Sequence, residues 1–244
     1  YASEQTTTPA LSNFIQVTES TLYSDNVSLT LSSGDGVKRV YVWFRDKAGN
    51  LSNSVSDNIT LDQTAPVLAE VTAVPVLDND STPNYIFSST ETGTLSYGGS
   101  CFSATTQANE NNNTITLNTL VEGTYDNCTL SVTDSAVNIS DNLSFTTFTV
   151  DLTTPALSLV SAVSTYTNDT TPNLTFSSSE NGTISYGGSC SSSTTQAISG
   201  NNVVTFSTLT EGTYDNCTIS VVDGARNLSG ALTVDNFTID VTSP

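Results

Sequence analysis

Nine carboxylates stand among Ser, Thr, Asn and Gly at turn-like positions: Asp35, Asp62, Asp80, Glu91, Glu122, Asp134, Asp151, Glu180 and Asp223. The chain contains no His and no Met, so these acids offer oxygen ligands only. Two carboxylates about 5 Å apart repel by roughly 3 kcal/mol at an effective dielectric constant of about 20, so a group of four or five needs a cation or protons. Calcium is the ion that fits, because it accepts about six to eight oxygens in a forgiving geometry, whereas transition metals favour imidazole or thiolate. The simpler alternative is that each acid is solvated and caps backbone amides in its own turn. No twelve-residue calcium loop of the helix-loop-helix type is present to decide between them.

Cysteine is the other reactive type. Cys101 and Cys128 are 27 residues apart, as are Cys190 and Cys217. No further Cys or His could complete a tetrahedral metal set, so a disulfide within each pair is the economical assignment. Closing a loop of that length contributes about 3–4 kcal/mol in a small secreted domain with a thin core.

The elements that position these groups are repeated. Residues 66–154 and 155–243 align without a gap at a period of 89, so Cys101 returns as Cys190, Tyr125 as Tyr214 and Asp151 as Asp240. A fixed period spreads function over copies of one unit and argues against a unique catalytic cleft. Without His, hydrolysis would rest on paired acids, and a catalytic pair has no reason to be copied at every repeat. The chain is expected not to be an enzyme.

TTPALS at residues 7–12 recurs at 153–158, with relatives DQTAP at 62–66 and DVTSP at 240–244. Proline stiffens and extends such linkers. They divide the chain into a linker or tail at 1–8, a short unit at 9–65 and full units at 66–154 and 155–243. Because the sequence opens and closes in linker phase, the protein is expected to continue on at least one side.

The chain carries 24 acidic and five basic residues. Residues 1–64 hold seven acids and four bases, the first full repeat ten acids and no base, and the second seven acids with Arg226. Nucleic acid is therefore excluded as a partner, for lack of a basic surface. The absence of Lys between Lys47 and the end of the chain also rules out a Lys–Asn isopeptide staple inside the full repeats. No apolar run is long enough to span a bilayer.

Short apolar segments separated by turn residues predict strands at 67–74, 84–89, 93–97, 114–117, 125–133 and 144–150, with a further short one between 101 and 107. Cys128, Leu130 and Val132 alternate with Thr129, Ser131 and Thr133, as a strand with one buried face does. Tyr125 is out of step with Cys128, which predicts a bulge near Asp126 and Asn127. The pattern is all-β.

DKAGN at 46–50, DSAVN at 134–138, DGARN at 223–227 and the D-x-T-x-P linkers resemble the bacterial immunoglobulin-like repeats of large surface adhesins. The resemblance implies tandem immunoglobulin-like β-sandwich domains in a beaded, elongated array, located outside the cell at its surface and stiffened by calcium at the joints. Immunoglobulin domains link their second and sixth strands, whereas here the first Cys follows the third, so the bond is expected within one sheet or from its adjoining loop. In a sandwich of this topology, Asp62 would meet Asp35, Glu91 and Asp134 at one joint. Asp151 would meet Asp80, Glu122, Glu180 and Asp223 at the next.

The first unit is 32 residues shorter than its neighbours, and its second strand, expected at 27–31, runs almost directly into SGDG at 33–36. Such a unit is a compact variant, packs on its neighbour, or is completed by a strand from another subunit. Tyr41 and Trp43 stand where the full repeats have Thr129 and Ser131, which marks either an interface with another copy or a cover over the unit's own gap. Function is then read as the shaft of an adhesin or a subunit of a surface filament, whose partners are other copies or further repeats. The rival reading is a module that binds surface glycans through Tyr97 and Tyr186, each followed by Gly-Gly.

Overall fold

The computed structural model describes residues 1–7, 9–17, 24 and 26–244; residue 8 of the expected tail and residues 18–23 and 25 of the first unit lie outside them. The described chain is all-β apart from one 3-10 turn at Leu11–Asn13. Among the described residues no helix is long and apolar enough to cross a membrane.

The described residues of the first unit form a three-stranded sheet of β1 (Ala2–Ser3), β2 (Gly36–Val42) and β3 (Val55–Leu61), in that order. Ala2 and Ser3, within the stretch read as a tail, pair with Val42 and Tyr41. The strand expected at 27–31 does not form. Its ladder partners in the full repeats have no counterpart among the described strands of this unit, and a strand without partners leaves its backbone groups to water.

The second unit contains β4 (Leu68–Thr72), β5 (Leu77–Asp78), β6 (Asn84–Ser89), β7 (Gly93–Gly98), β8 (Gln107–Ala108), β9 (Asn111–Thr116), β10 (Gly123–Tyr125), β11 (Thr129–Thr133), β12 (Leu143–Ser144) and β13 (Phe148–Val150). They form sheets β4-β6-β9, β10-β13-β5 and β12-β11-β7-β8, and only β5–β13 is parallel. The third unit repeats all ten strands and all three sheets, from Leu157–Ser161 to Phe237–Ile239. Among the described residues no sheet mixes strands from different units.

The predicted bulge at Asp126 and Asn127 is a full break. β10 belongs to one sheet and β11 to another, so the chain crosses between sheets at residues 126–128. The crossing lets Tyr125 and Cys128 both point inward, at 9 % and 2 % exposure. Among the described residues of the first unit there is no counterpart of β7 to recruit the strand, and β2 stays in one sheet, paired with β3 from Gly36 to Val42.

Each full unit has its own core. Tyr85, Phe87, Ile115, Leu130 and Phe148 fill one, and Leu174, Phe176, Val204, Ile219 and Phe237 the other. Disulfides Cys101–Cys128 and Cys190–Cys217 close as expected, with Cα atoms 5.2 and 5.3 Å apart. The first joins the end of β7 to the start of β11, which are neighbours in one sheet. Gly99 is required there, because a Cβ on it would lie 1.9 Å from the Asn127 carbonyl oxygen and its φ is +74°.

Candidate metal centres at the joints

Each joint is built from a linker aspartate and a turn of the following unit. The linker aspartate folds its own chain: Asp62 Oδ1 accepts from the Thr64 amide at 3.2 Å and Asp151 Oδ1 from the Thr153 amide at 3.1 Å. This is the local bond that Asp favours in turns. The preceding unit holds the same threonines, since Thr64 Oγ1 donates to Asp35 and Thr153 Oγ1 to Glu122 at 2.6 Å.

The following unit contributes a clasp. In DSAVN, Asn138 donates its amide N–H to Asp134 Oδ1 and its Nδ2 to Oδ2, both at 2.8 Å. Asn227 does the same to Asp223 at 2.8 and 2.9 Å. The turn needs a left-handed residue at its fourth position, which Gly49 supplies in the first unit at φ +94°. Val137 and Arg226 take the same conformation at +72° and +77°, so the turn keeps its shape without glycine. The clasp then reaches across the joint, with Asn138 Nδ2 on the Asp62 carbonyl at 3.2 Å and Asn227 Nδ2 on the Asp151 carbonyl at 2.8 Å.

These contacts gather two groups of three acids, Asp62 with Glu91 and Asp134, and Asp151 with Glu180 and Asp223. Within each, carboxylate oxygens lie within 4.8 Å of one another. Asp134 and Asp223 are buried, and the other four half-buried. Glu91 and Glu180 are set by the ends of the strands before them, where Ser89 and Ser178 donate to their carbonyls at 2.6 and 2.7 Å.

Electrostatics mark the glutamates as the uncomfortable members. Burial and then Asp62, Asp134 and Asp35 push Glu91 above the ordinary carboxylate range. Burial and then Asp151, Asp223 and Glu122 do the same to Glu180. At Asp134 burial acts upward too, but the bonds from Asn138 outweigh it and hold the carboxyl low. An all-carboxylate set with one strained member suits a hard cation and offers nothing to a soft one. Two groups of acids at these joints could hold a metal ion.

The nine acids expected at the joints thus divide. Six form the two groups. Asp35 and Glu122 stand one step out, gripping the linker threonines while still felt by Glu91 and Glu180. Asp80 is not brought in: its Oδ1 accepts from the Thr82 amide and hydroxyl at 2.8 and 3.0 Å, within its own turn. Sequence reasoning missed Asn138 and Asn227 as joint residues. The signal was the Asn that ends all three D-x-A-x-N turns.

The other candidates are placed inside their units. Trp43 is 5 % exposed, with its ring against Tyr1 and Tyr41, and its amide donates to the Tyr1 carbonyl at 2.9 Å. The cover over this ring comes from the chain's own residues. Tyr97 and Tyr186 pack on the cores and donate to the carbonyls of Thr105 and Thr194 at 2.7 and 2.6 Å.

No protein-family model matches this chain, and no curated protein sequence matches it.

Proposed function

We propose that this chain is an extracellular structural protein, the shaft of a cell-surface adhesin or a subunit of a surface filament, in which immunoglobulin-like sandwich units are held in line by calcium-binding joints. The observation that carries the reading is that two joints 89 residues apart are made by the same residues in the same roles. A linker gripped by the preceding unit through Glu122 and by the following unit through Asn227 has little freedom to swing.

Several features support the sandwich units. β6 pairs with β4 and β9 in one sheet, β11 with β7 and β12 in another, and β5 runs parallel to β13. Tyr125 accepts from the Val121 amide at 3.1 Å and donates to its carbonyl at 2.9 Å, and Tyr214 repeats this with Thr210. A bond of this kind supports the reading, since it is like the tyrosine corner of such sandwiches. The disulfides suit an oxidising compartment.

Calcium would be held by Asp62, Glu91 and Asp134, and by Asp151, Glu180 and Asp223, with carbonyls and water completing the shell. It would supply positive charge that ties the linker to the following unit. The role is structural and not catalytic. Glycan binding through Tyr97 and Tyr186 is not proposed, since their hydroxyls are already bonded within the units.

Calcium titrated into chelated protein tests the reading. Melting temperature should rise and small-angle scattering should report a longer, stiffer particle, with both responses lost in Glu91→Gln/Glu180→Gln. No shift at millimolar calcium would remove calcium from the joints, and a particle that swings freely with or without it would remove the shaft.

A further inference from the structure

Arg226 is the only Lys or Arg among residues 48–244. A protease that reads a basic side chain therefore meets one such bond in the two full units, Arg226–Asn227. That bond lies in the clasp of the second joint. The clasp of the first joint carries Val137 in the same left-handed conformation, 74 % exposed, and offers no such bond.

The turn presents the Arg226 side chain and withholds its backbone. Arg226 is exposed, while Ala225 and Asn227 on either side are 1 % and 8 % exposed. A protease takes its substrate as an extended strand. Arg226 stands instead at φ +77°, inside a closed hairpin. The Asp223 amide donates to the Asn227 carbonyl at 3.1 Å, the Arg226 amide to the Asp223 carbonyl at 3.4 Å and the Ser229 amide to the Val221 carbonyl at 2.8 Å. The bond is cut only from a locally opened form. Opening the turn takes Asn227 Nδ2 from the Asp151 carbonyl and from Asp223 Oδ2, its partners at 2.8 and 2.9 Å. Whatever holds the joint thus lowers the population of the cleavable form, and cutting follows that population when reclosing is the faster step.

In the cut, water adds across the Arg226–Asn227 peptide bond, leaving a carboxylate on Arg226 and an ammonium on Asn227. Neither disulfide spans it, because Cys101–Cys128 and Cys190–Cys217 both precede it. Residues 227–244 are then kept by packing alone, with the strand Phe237–Ile239 between Tyr166–Thr167 and Gly212–Tyr214 in its sheet. The new ammonium arises where the Asn227 amide bonds Asp223 Oδ1 at 2.8 Å, so it brings positive charge into the group of acids and competes there with a cation.

We propose that Arg226 makes the second joint a conditional cleavage site for a trypsin-like protease, closed while Asn227 holds the linker and opened when the joint lets go. A shaft built this way loses its covalent continuity where a joint has already failed. That consequence rests on the reading of the chain as a shaft, while the gate rests on the turn.

Timed trypsin digestion of the intact chain tests it. Cutting at 226–227 is read by mass spectrometry of the denatured digest, apart from cuts at the bases of the first unit. Asn227→Ala should speed this cut at least about tenfold, through loss of two side-chain bonds. Calcium at about a hundred times its dissociation constant should slow it about a hundredfold. Val137→Arg should create a second slow site after residue 137, which Asn138→Ala should speed in turn. Chymotrypsin cutting after the core residues Phe176 and Phe206 should not be hastened by Asn227→Ala, which separates local opening from unfolding of the unit. The fragment 227–244 should stay bound after the cut and leave in denaturant without reductant. A cut at 226–227 that is indifferent to Asn227→Ala, or hastened no more than the core sites, would overturn the proposal. A cut hastened by Asn227→Ala but indifferent to calcium would keep the gate and remove calcium from this joint.

Discussion

The side-chain amide of Asn227 donates to the backbone carbonyl of Asp151 at 2.8 Å, bridging 76 residues of sequence. The same nitrogen donates to Asp223 Oδ2 at 2.9 Å, so one residue both closes its own turn and holds the linker. Asn227→Ala should therefore lower the melting temperature of the third unit, by about 1–3 kcal/mol of stability, since bonds to a charged group are lost. It should also loosen the joint, measured as a broader distance distribution between spin labels on the two full units. An unchanged distribution would show that the bond does not set the joint.

The joints make stability depend on pH in two directions. Glu91 and Glu180 are raised above their ordinary value of 4.5, so each binds its proton more tightly folded than unfolded. Their unfavourable contribution is full above the raised value and disappears as pH falls towards the ordinary one. Asp134, Asp35 and Asp46 are lowered from 3.8 and act in the opposite sense, giving stability above that value that is lost as pH falls through their folded range. In chelator the melting temperature should thus rise from neutral pH to a maximum in the mildly acidic range and then fall. With calcium present it should decline on acidification without that maximum, because protons compete with the ion.

Val137 and Arg226 occupy left-handed backbone at φ +72° and +77°. A non-glycine residue there costs about 1–2 kcal/mol, and a β-branched one is the worst case. Val137→Gly should stabilise the second unit by about 0.5–1 kcal/mol after the entropy that glycine adds to the unfolded chain. Gly49→Val should destabilise the first unit by a similar amount. Calorimetry of the two variants checks both signs.

Tyr85 is fully buried, stacked on Phe145 at 3.8 Å, and its hydroxyl, though close enough to the Glu70 carboxylate to feel it, makes no hydrogen bond of ordinary geometry. Burial and the nearby Glu70 carboxylate push its ionisation far upward, so it stays a neutral phenol. Glu70 is already occupied by the Thr146 amide and hydroxyl at 3.0 and 2.6 Å. Leu174 holds the same place in the third unit. Tyr85→Phe should raise the stability of the second unit by about 1 kcal/mol, as removal of an unsatisfied buried group does. A drop instead would mean that Glu70 accepts from this hydroxyl.

Strand positions were legible wherever alternation was regular, as at Cys128, Leu130 and Val132, because period two is imposed by the pleat itself. The break after Tyr125 was visible only as a phase error. That it separates two sheets depends on β7 being available as a partner, which no local pattern encodes. The missing strand at 27–31 teaches the same lesson, since Val27, Leu29 and Leu31 alternate as well as any strand but have no ladder to join.

At the joints, six of the nine expected acids fall into the two groups, since neighbouring turns at one pole of a repeat meet the next linker. Asp35 and Glu122 reach the joints through the linker threonines, and Asp80 is taken up by Thr82 of its own turn, because the choice between a nearby threonine and the group of acids is made over a few ångströms. The amino-acid order alone established the repeat, the cysteine pairing, the all-β class and the acidic poles, all of which follow from short spacings. Folding selected which oxygens converge and made Asn138 and Asn227 the bridges, because those contacts join residues 76 apart and exist only once the linker lies against the turn that follows it.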